Sequence, residues 1–174
     1  MDRDGVLNVS LVKNGLPYPP NHLSQVIIID GVKESVELLR GKGYEIVVVT
    51  NQPDVARGIT SMYEVETINK YLGDKIGIEY FYTCFHDDVD NCDCRKPKSG
   101  LLRKAADDLN LDLNSSIMVG DRWRDIAAGQ SVGCACYFID YSYSEKKPIE
   151  PYYSVTSLIE ATQGILRNND DSFY

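Results

Sequence analysis

The chain has 174 residues, 43% of them hydrophobic, and a formal net charge of −8. That size and apolar content fit one globular domain with a real core, and no apolar run approaches the ~20 residues of a membrane span. The acidic balance argues against nucleic acid or an anionic membrane surface as the main partner, so an anionic small molecule would have to be held by a metal and a few local cations. The five cysteines lie in two tight groups rather than a dispersed framework, and no basic, apolar, small-residue leader precedes the first motif. A monomer in a reducing cytoplasm is expected.

In chain order the first feature is Asp2 and Asp4, in Met1-Asp-Arg-Asp-Gly-Val-Leu-Asn8. Two carboxylates this close can be pushed to different protonation states, one attacking while the other protonates a leaving oxygen, a division of labour that suits phosphoryl transfer. Residues 9–24, with Pro17, Pro19 and Pro20, read as a loop. After the apolar stretch 25–29, Val32, Val36 and Leu39 recur at helical spacing, and 44–50 reads as a buried β-branched strand. Ser61-x-x-Glu64 opens a second helix with Val65, Ile68 and Leu72 on one face, followed by an aromatic strand at 79–83. Ser99 caps a third helix carrying Leu101, Leu102, Ala105 and Leu109, and 116–119 is a strand. Residues 122–132 form a helix, 134–139 a strand with Cys134 and Cys136 as small core residues, and Ser157-x-x-Glu160 caps a last helix. This alternation implies right-handed crossovers and a doubly wound, mainly parallel α/β sheet, whose ligands bind beyond the carboxyl ends of its strands.

The chemically suggestive residues fall at those ends: Asp2 and Asp4, then Thr50-Asn51-Gln52, then Arg95-Lys96, then Gly120-Asp121-Arg-Trp-Arg-Asp125. Together they supply an attacking carboxylate, a hydroxyl and amide for phosphate oxygens, a lysine, and further carboxylate for a hard cation such as magnesium. Taken singly, each has a plainer reading as a solvated acidic terminus, turn residues, a solvated basic pair or a helix cap. Their joint order is what points to one site. Arg57, Arg95 and Arg122 stand where they could grip the anionic or hydroxylated end of a substrate.

A second cluster, Cys84-x-His86 followed by Cys92-x-Cys94, puts three thiolates and an imidazole in one short loop. Four such ligands can surround zinc tetrahedrally with no position left for a reactive water, so a structural zinc in the loop at 84–94 is expected, with reduced unligated thiols as the alternative. Such a zinc would fix the segment that delivers Arg95 and Lys96.

Asp-x-Asp-Gly-Val, the Thr50 strand end, Lys96 and Gly120-Asp121-x-x-x-Asp125 resemble, in order, the four motifs of the haloacid dehalogenase superfamily of aspartyl-phosphate phosphatases, over nearly the whole chain. The resemblance implies a Rossmann-like core with Asp2 as nucleophile, Asp4 as general acid and then base, and Thr50 and Lys96 as phosphoryl stabilisers. It also implies magnesium held by Asp2, Asp121 and the Asp4 carbonyl, with Asp125 behind them, and a substrate bound by Asn51, Gln52, Arg57, Arg95 and Arg122. Only 48 residues separate Asp2 from Thr50 and 46 separate Thr50 from Lys96, too few for the cap domain many relatives insert, so 1–174 is expected to be a single phosphatase domain with an open site.

The Cys-x-His...Cys-x-Cys-Arg-Lys-Pro pattern resembles the zinc-loop subgroup that holds D-glycero-D-manno-heptose 1,7-bisphosphate phosphatases and histidinol-phosphate phosphatases. The short spacer from His86 to Cys92 is like the histidinol-phosphate enzymes. The segments 51–58 and 120–125 are more like the heptose enzymes, whose small phosphorylated sugar is the favoured substrate and whose setting is lipopolysaccharide biosynthesis. Relatives also place an apolar strand before the first aspartate, where this chain has only Met1. The first strand is therefore expected to be truncated and Asp2 to sit at a frayed end, which leaves a non-catalytic, zinc-stabilised binding module as the reading from another class.

Overall fold

The computed structural model describes residues 1–170. Its strands run where β-branched and aromatic residues cluster: β3 (Val47–Asn51), β4 (Tyr80–Cys84), β5 (Ile117–Gly120), β6 (Ala135–Ile139) and β7 (Tyr153–Val155), after a short antiparallel hairpin of β1 (Leu11–Lys13) and β2 (Leu16–Tyr18). β3 pairs with β4, and β6 lies between β5 and β7, all in parallel. Residues 1 and 2 join the two groups. The Met1 amine donates to the Val47 carbonyl at 2.7 Å, Val49 N donates to the Met1 carbonyl at 2.9 Å, and Asp2 N donates to the Val119 carbonyl at 2.9 Å. The Met1 bonds follow the parallel ladder pattern. Asp2 is thus tied into the seam between β3 and β5 instead of fraying, and beyond Met1 the same seam opens into an apolar cleft of about 280 Å³.

The helices are α1 (Val32–Gly41), α2 (Met62–Ile76), α3 (Gly100–Leu109), α4 (Trp123–Gln130) and α5 (Leu158–Asp170). Strand side chains alternate between two cores, as a period of two requires. Val48, Val119, Tyr137 and Ile139 face α1, α2 and α5 through Val36, Ile68, Leu72, Ala161 and Ile165, whereas Val49, Met118, Cys136 and Phe138 face α3 and α4 through Leu101, Leu102 and Ile126. This is the doubly wound arrangement expected, with no cap domain among the described residues. Leu72, with no exposed surface, contributes about 1.5–3 kcal/mol by burial, and its truncation to alanine would cost ~2–5 kcal/mol.

Local signals explain most boundaries. Ser61 Oγ accepts from Glu64 N at 3.2 Å, α2 stops at Gly77 with φ of 84°, and Ser157 Oγ accepts from Glu160 N at 3.2 Å. Ser99 precedes α3 without a capping bond from its side chain: its backbone, at φ −96° and ψ 12°, lacks the extended conformation that brings an N-cap oxygen over the second and third amides of a helix. The segment expected as loop contains the β1–β2 hairpin, turned by Asn14 and Gly15 with φ of 52° and 75°. No helix among the described residues is long and apolar enough to cross a membrane.

Candidate active site

The carboxyl ends of β3 and β5 and the first residues of the chain converge on one buried group of charges. Lys96 is 1% exposed, and its ammonium contacts Asp2 Oδ1 at 2.8 Å, Asp125 Oδ1 at 2.7 Å and the Val49 carbonyl at 2.7 Å. Asn51 fixes the segment that carries it: its amide donates to the Lys96 carbonyl at 3.0 Å and accepts from the Lys96 N–H at 3.1 Å. Despite the cost of burial, the charges of Asp125 and Asp2 hold the Lys96 ammonium above its usual range.

Asp121 enters from the turn between β5 and α4. A Cβ on Gly5 would lie 1.9 Å from Asp121 Oδ2, and Gly5 has φ of 78°, so only glycine lets the two segments meet. Asp2, Asp121 and Asp125 bring carboxylate oxygens within 4.8 Å of one another. Burial, then the neighbouring charges of Asp125 and Asp2, push the Asp121 carboxyl well above the ordinary range, and burial with the Asp2 charge moves Asp125 up to about 6. Asp121 Oδ2 accepts from the Tyr143 hydroxyl at 2.9 Å, while its buried Oδ1 has no hydrogen-bond partner among the described residues. Three crowded carboxylates, one lysine and one orphaned oxygen fit a hard divalent cation bound through oxygen.

Asp4 lines the same cleft but is held by a different set of partners. Its carboxylate accepts from Arg3 Nε (3.2 Å) and Nη2 (3.1 Å), from Asn8 Nδ2 (2.9 Å) and from Gln52 Nε2 (2.7 Å). Gln52 Nε2 also donates to Thr50 Oγ1 at 3.0 Å, which links the end of β3 to Asp4.

The sulfur cluster is brought together as the spacing implied. Cys94 Sγ lies 3.2 Å from Cys84 Sγ, 3.3 Å from Cys92 Sγ and 3.2 Å from His86 Nδ1, and Cys84 Sγ is 3.7 Å from both Cys92 Sγ and His86 Nδ1. Such separations suit four ligands around one tetrahedral cation with metal–sulfur bonds of ~2.3 Å. Burial pushes the Cys84 thiol up; Cys92, against the same desolvation, is drawn down to about 7 by bonds with Cys94 and the Arg95 amide.

The three arginines expected to grip substrate are all in ion pairs. Arg57 makes two 2.7 Å bonds to Asp87 and one of 3.1 Å to Asp54; Arg95 bonds Asp88 at 2.8 Å; Arg122 bonds Glu145 at 2.6 Å. Of these only Arg122 borders the cleft lined by Asp2, Lys96 and Asp121, a narrow space of about 40 Å³ also edged by Ser10, Tyr18, Pro19 and Arg124. Sequence reasoning passed over Arg124 and Tyr143. Arg124 had a signal: a cation in the first turn of a helix opposes the helix dipole and invites another purpose. Tyr143 sits in an aperiodic loop and had none.

A family model described as haloacid dehalogenase-like hydrolase matches residues 22–133. The D-glycero-beta-D-manno-heptose-1,7-bisphosphate 7-phosphatase of Pasteurella multocida is 37% identical over 141 residues, covering 75% of this chain and 73% of the relative. The enzyme of the same name from Salmonella typhi is 35% identical over 147 residues, covering 76% and 75%. Among solved structures, the D,D-heptose 1.7-bisphosphate phosphatase of B. bronchiseptica complexed with magnesium and phosphate superposes with a TM-score of 0.82 at 23% identity over 96% of both chains.

Proposed function

The chain belongs to the haloacid dehalogenase-like hydrolase family, and on that footing we propose that it removes the 7-phosphate of D-glycero-D-manno-heptose 1,7-bisphosphate through an aspartyl-phosphate on Asp2. The substrate is the one named for the relatives from Pasteurella multocida and Salmonella typhi. One observation carries the chemistry. Asp2 Oδ1 is held by Lys96 Nζ and by the Arg3 amide, each at 2.8 Å, while its other oxygen takes no hydrogen bond from the described residues. That carboxylate is aimed yet retains a free lone pair for in-line attack.

In this reading the free oxygen of Asp2 bonds to phosphorus, Lys96, Thr50 and Asn51 meet the phosphoryl oxygens, and Asp4 gives a proton to the departing sugar oxygen. Water then opens the acyl phosphate, and Asp4 takes the proton back. Asp2, Asp121 and the Asp4 carbonyl, backed by Asp125, would hold Mg²⁺, which neutralises charge on the phosphoryl group. Cys84, His86, Cys92 and Cys94 would hold a structural Zn²⁺ that steadies the loop leading to Lys96, and their free thiols suit a reducing cytoplasm.

The test compares kcat/KM for the heptose bisphosphate and for histidinol phosphate with magnesium present. We expect at least a tenfold preference for the sugar, equivalent to ~1.4 kcal/mol. A preference for histidinol phosphate would overturn the substrate, and failure to hydrolyse either compound or an aromatic phosphate ester would overturn the phosphatase reading.

A further inference from the structure

The side chain of Arg3, the middle residue of the Asp-x-Asp motif, has no part in the chemistry above, yet it is wholly buried. Burying a guanidinium is costly unless every donor is met, so the groups that meet it identify its task. Nε and Nη2 form a fork on the two oxygens of Asp4 at 3.2 and 3.1 Å, and Nη1 donates to Asn69 Oδ1 at 2.8 Å. Asn69, on α2, donates in turn to Thr83 Oγ1 on the edge strand β4 at 3.1 Å. A side chain used only as core filling would not need a planar fork on a carboxylate and a braced far end.

We propose that Arg3 is the positioning residue for Asp4, a rigid strut running from Thr83 through Asn69 and Arg3 that holds the carboxylate where it takes a proton from the water opening the aspartyl-phosphate. The inference rests on the reading of Asp4 as the proton-transferring group. In the step concerned, the water oxygen bonds to phosphorus, the bond from phosphorus to the Asp2 oxygen breaks, and the water proton passes to Asp4. Gln52 and Asn8, which donate to the same carboxylate at 2.7 and 2.9 Å, fix where it sits; the fork adds the plane in which it lies.

The test uses 4-nitrophenyl phosphate, whose leaving group departs without a proton, so the first half-reaction needs little from Asp4 and the second depends on it. For Arg3→Gln with magnesium and the intact chain, stopped-flow should show a burst of about one nitrophenolate per site at a rate near wild type. The steady state should then be slower by on the order of a hundredfold, the usual weight of a general base. Arg3→Lys should recover part of the steady-state rate, and Asn69→Ala, which leaves the fork in place but unbraced, should show a smaller version of the same burst. Asp4→Asn is the reference. If Asp4→Asn bursts while both Arg3→Gln and Asn69→Ala lose the burst and the steady state in proportion, Arg3 is merely structural and the proposal fails alone. If Asp4→Asn shows no burst, the proposal falls together with the reading of Asp4.

Discussion

The cleft around Lys96 and the rim beside it are both built on aspartates, and they settle that charge in opposite ways. In the cleft, Asp2, Asp121 and Asp125 crowd around the single ammonium of Lys96, and burial with mutual repulsion drives Asp121 and Asp125 upward. On the rim, Asp87 and Asp88 meet Arg57, Arg95 and Arg124, and hydrogen bonds from Arg57 hold Asp87 down at about 2. The difference shows where a counter-charge is built in and where it is left to be supplied. The rim is complete as folded, whereas the cleft is short of positive charge by an amount a divalent cation would make good.

The largest break in this comparison comes from Asp2. Asp2→Asn should lower hydrolysis of an aromatic phosphate ester by on the order of a thousandfold or more, as loss of a nucleophile does, and beryllofluoride should bind the wild type but not the variant. Wild-type-like turnover would place the nucleophile elsewhere.

Next is the pH dependence of the metal-free protein. Asp125 is raised to about 6, so the fold favours its protonated form. The stabilisation is fully present below the ordinary carboxylate value and is lost as pH rises through 6. A two-unit rise corresponds to on the order of 3 kcal/mol, of which about half is present at pH 5, so calorimetry without metal should give a Tm about 3–6 °C higher at pH 5 than at pH 8. Saturating magnesium should flatten that slope. Asp87, lowered to about 2, works in the opposite sense and only at lower pH, where its stabilisation is lost as pH falls from 4 through 2.

A smaller effect tests the loop behind the rim. Metal analysis of protein purified without added zinc should find one zinc per chain, and Cys92→Ser should lose it and lower kcat by about tenfold by loosening the segment that carries Lys96. Zinc-free protein with reduced thiols and full activity would remove the metal from the account. The smallest effect belongs to the rim pairs themselves. Arg57 is over a third exposed, so Arg57→Ala should cost no more than ~1 kcal/mol in urea denaturation, and less at 1 M salt.

The α/β order, both faces of the sheet and the convergence of Asp2, Lys96, Asp121 and Asp125 were legible because each depends on local period or on strand ends. The thiol cluster was legible from spacing alone. What escaped depends on long reach between segments with no shared pattern. Arg57 is paired with Asp87 thirty residues on, and Arg122 with Glu145 in the loop after β6. A reading of isolated arginines therefore saw free cations where the fold has spent them. Asn14-Gly15 was a readable hairpin signal, obscured by the prolines around it. The three-residue β7 is too short to show a period at all.

Lys96 has one more consequence. An ammonium has three protons to donate, and here all three are engaged, on Asp2, Asp125 and the Val49 carbonyl. A phosphoryl oxygen can reach it only in exchange for one of those partners, so anion entry is a swap rather than an addition. A free anion has only this exchange to gain from. A phosphate ester whose remaining part is held at the rim can drive the exchange with contacts made elsewhere.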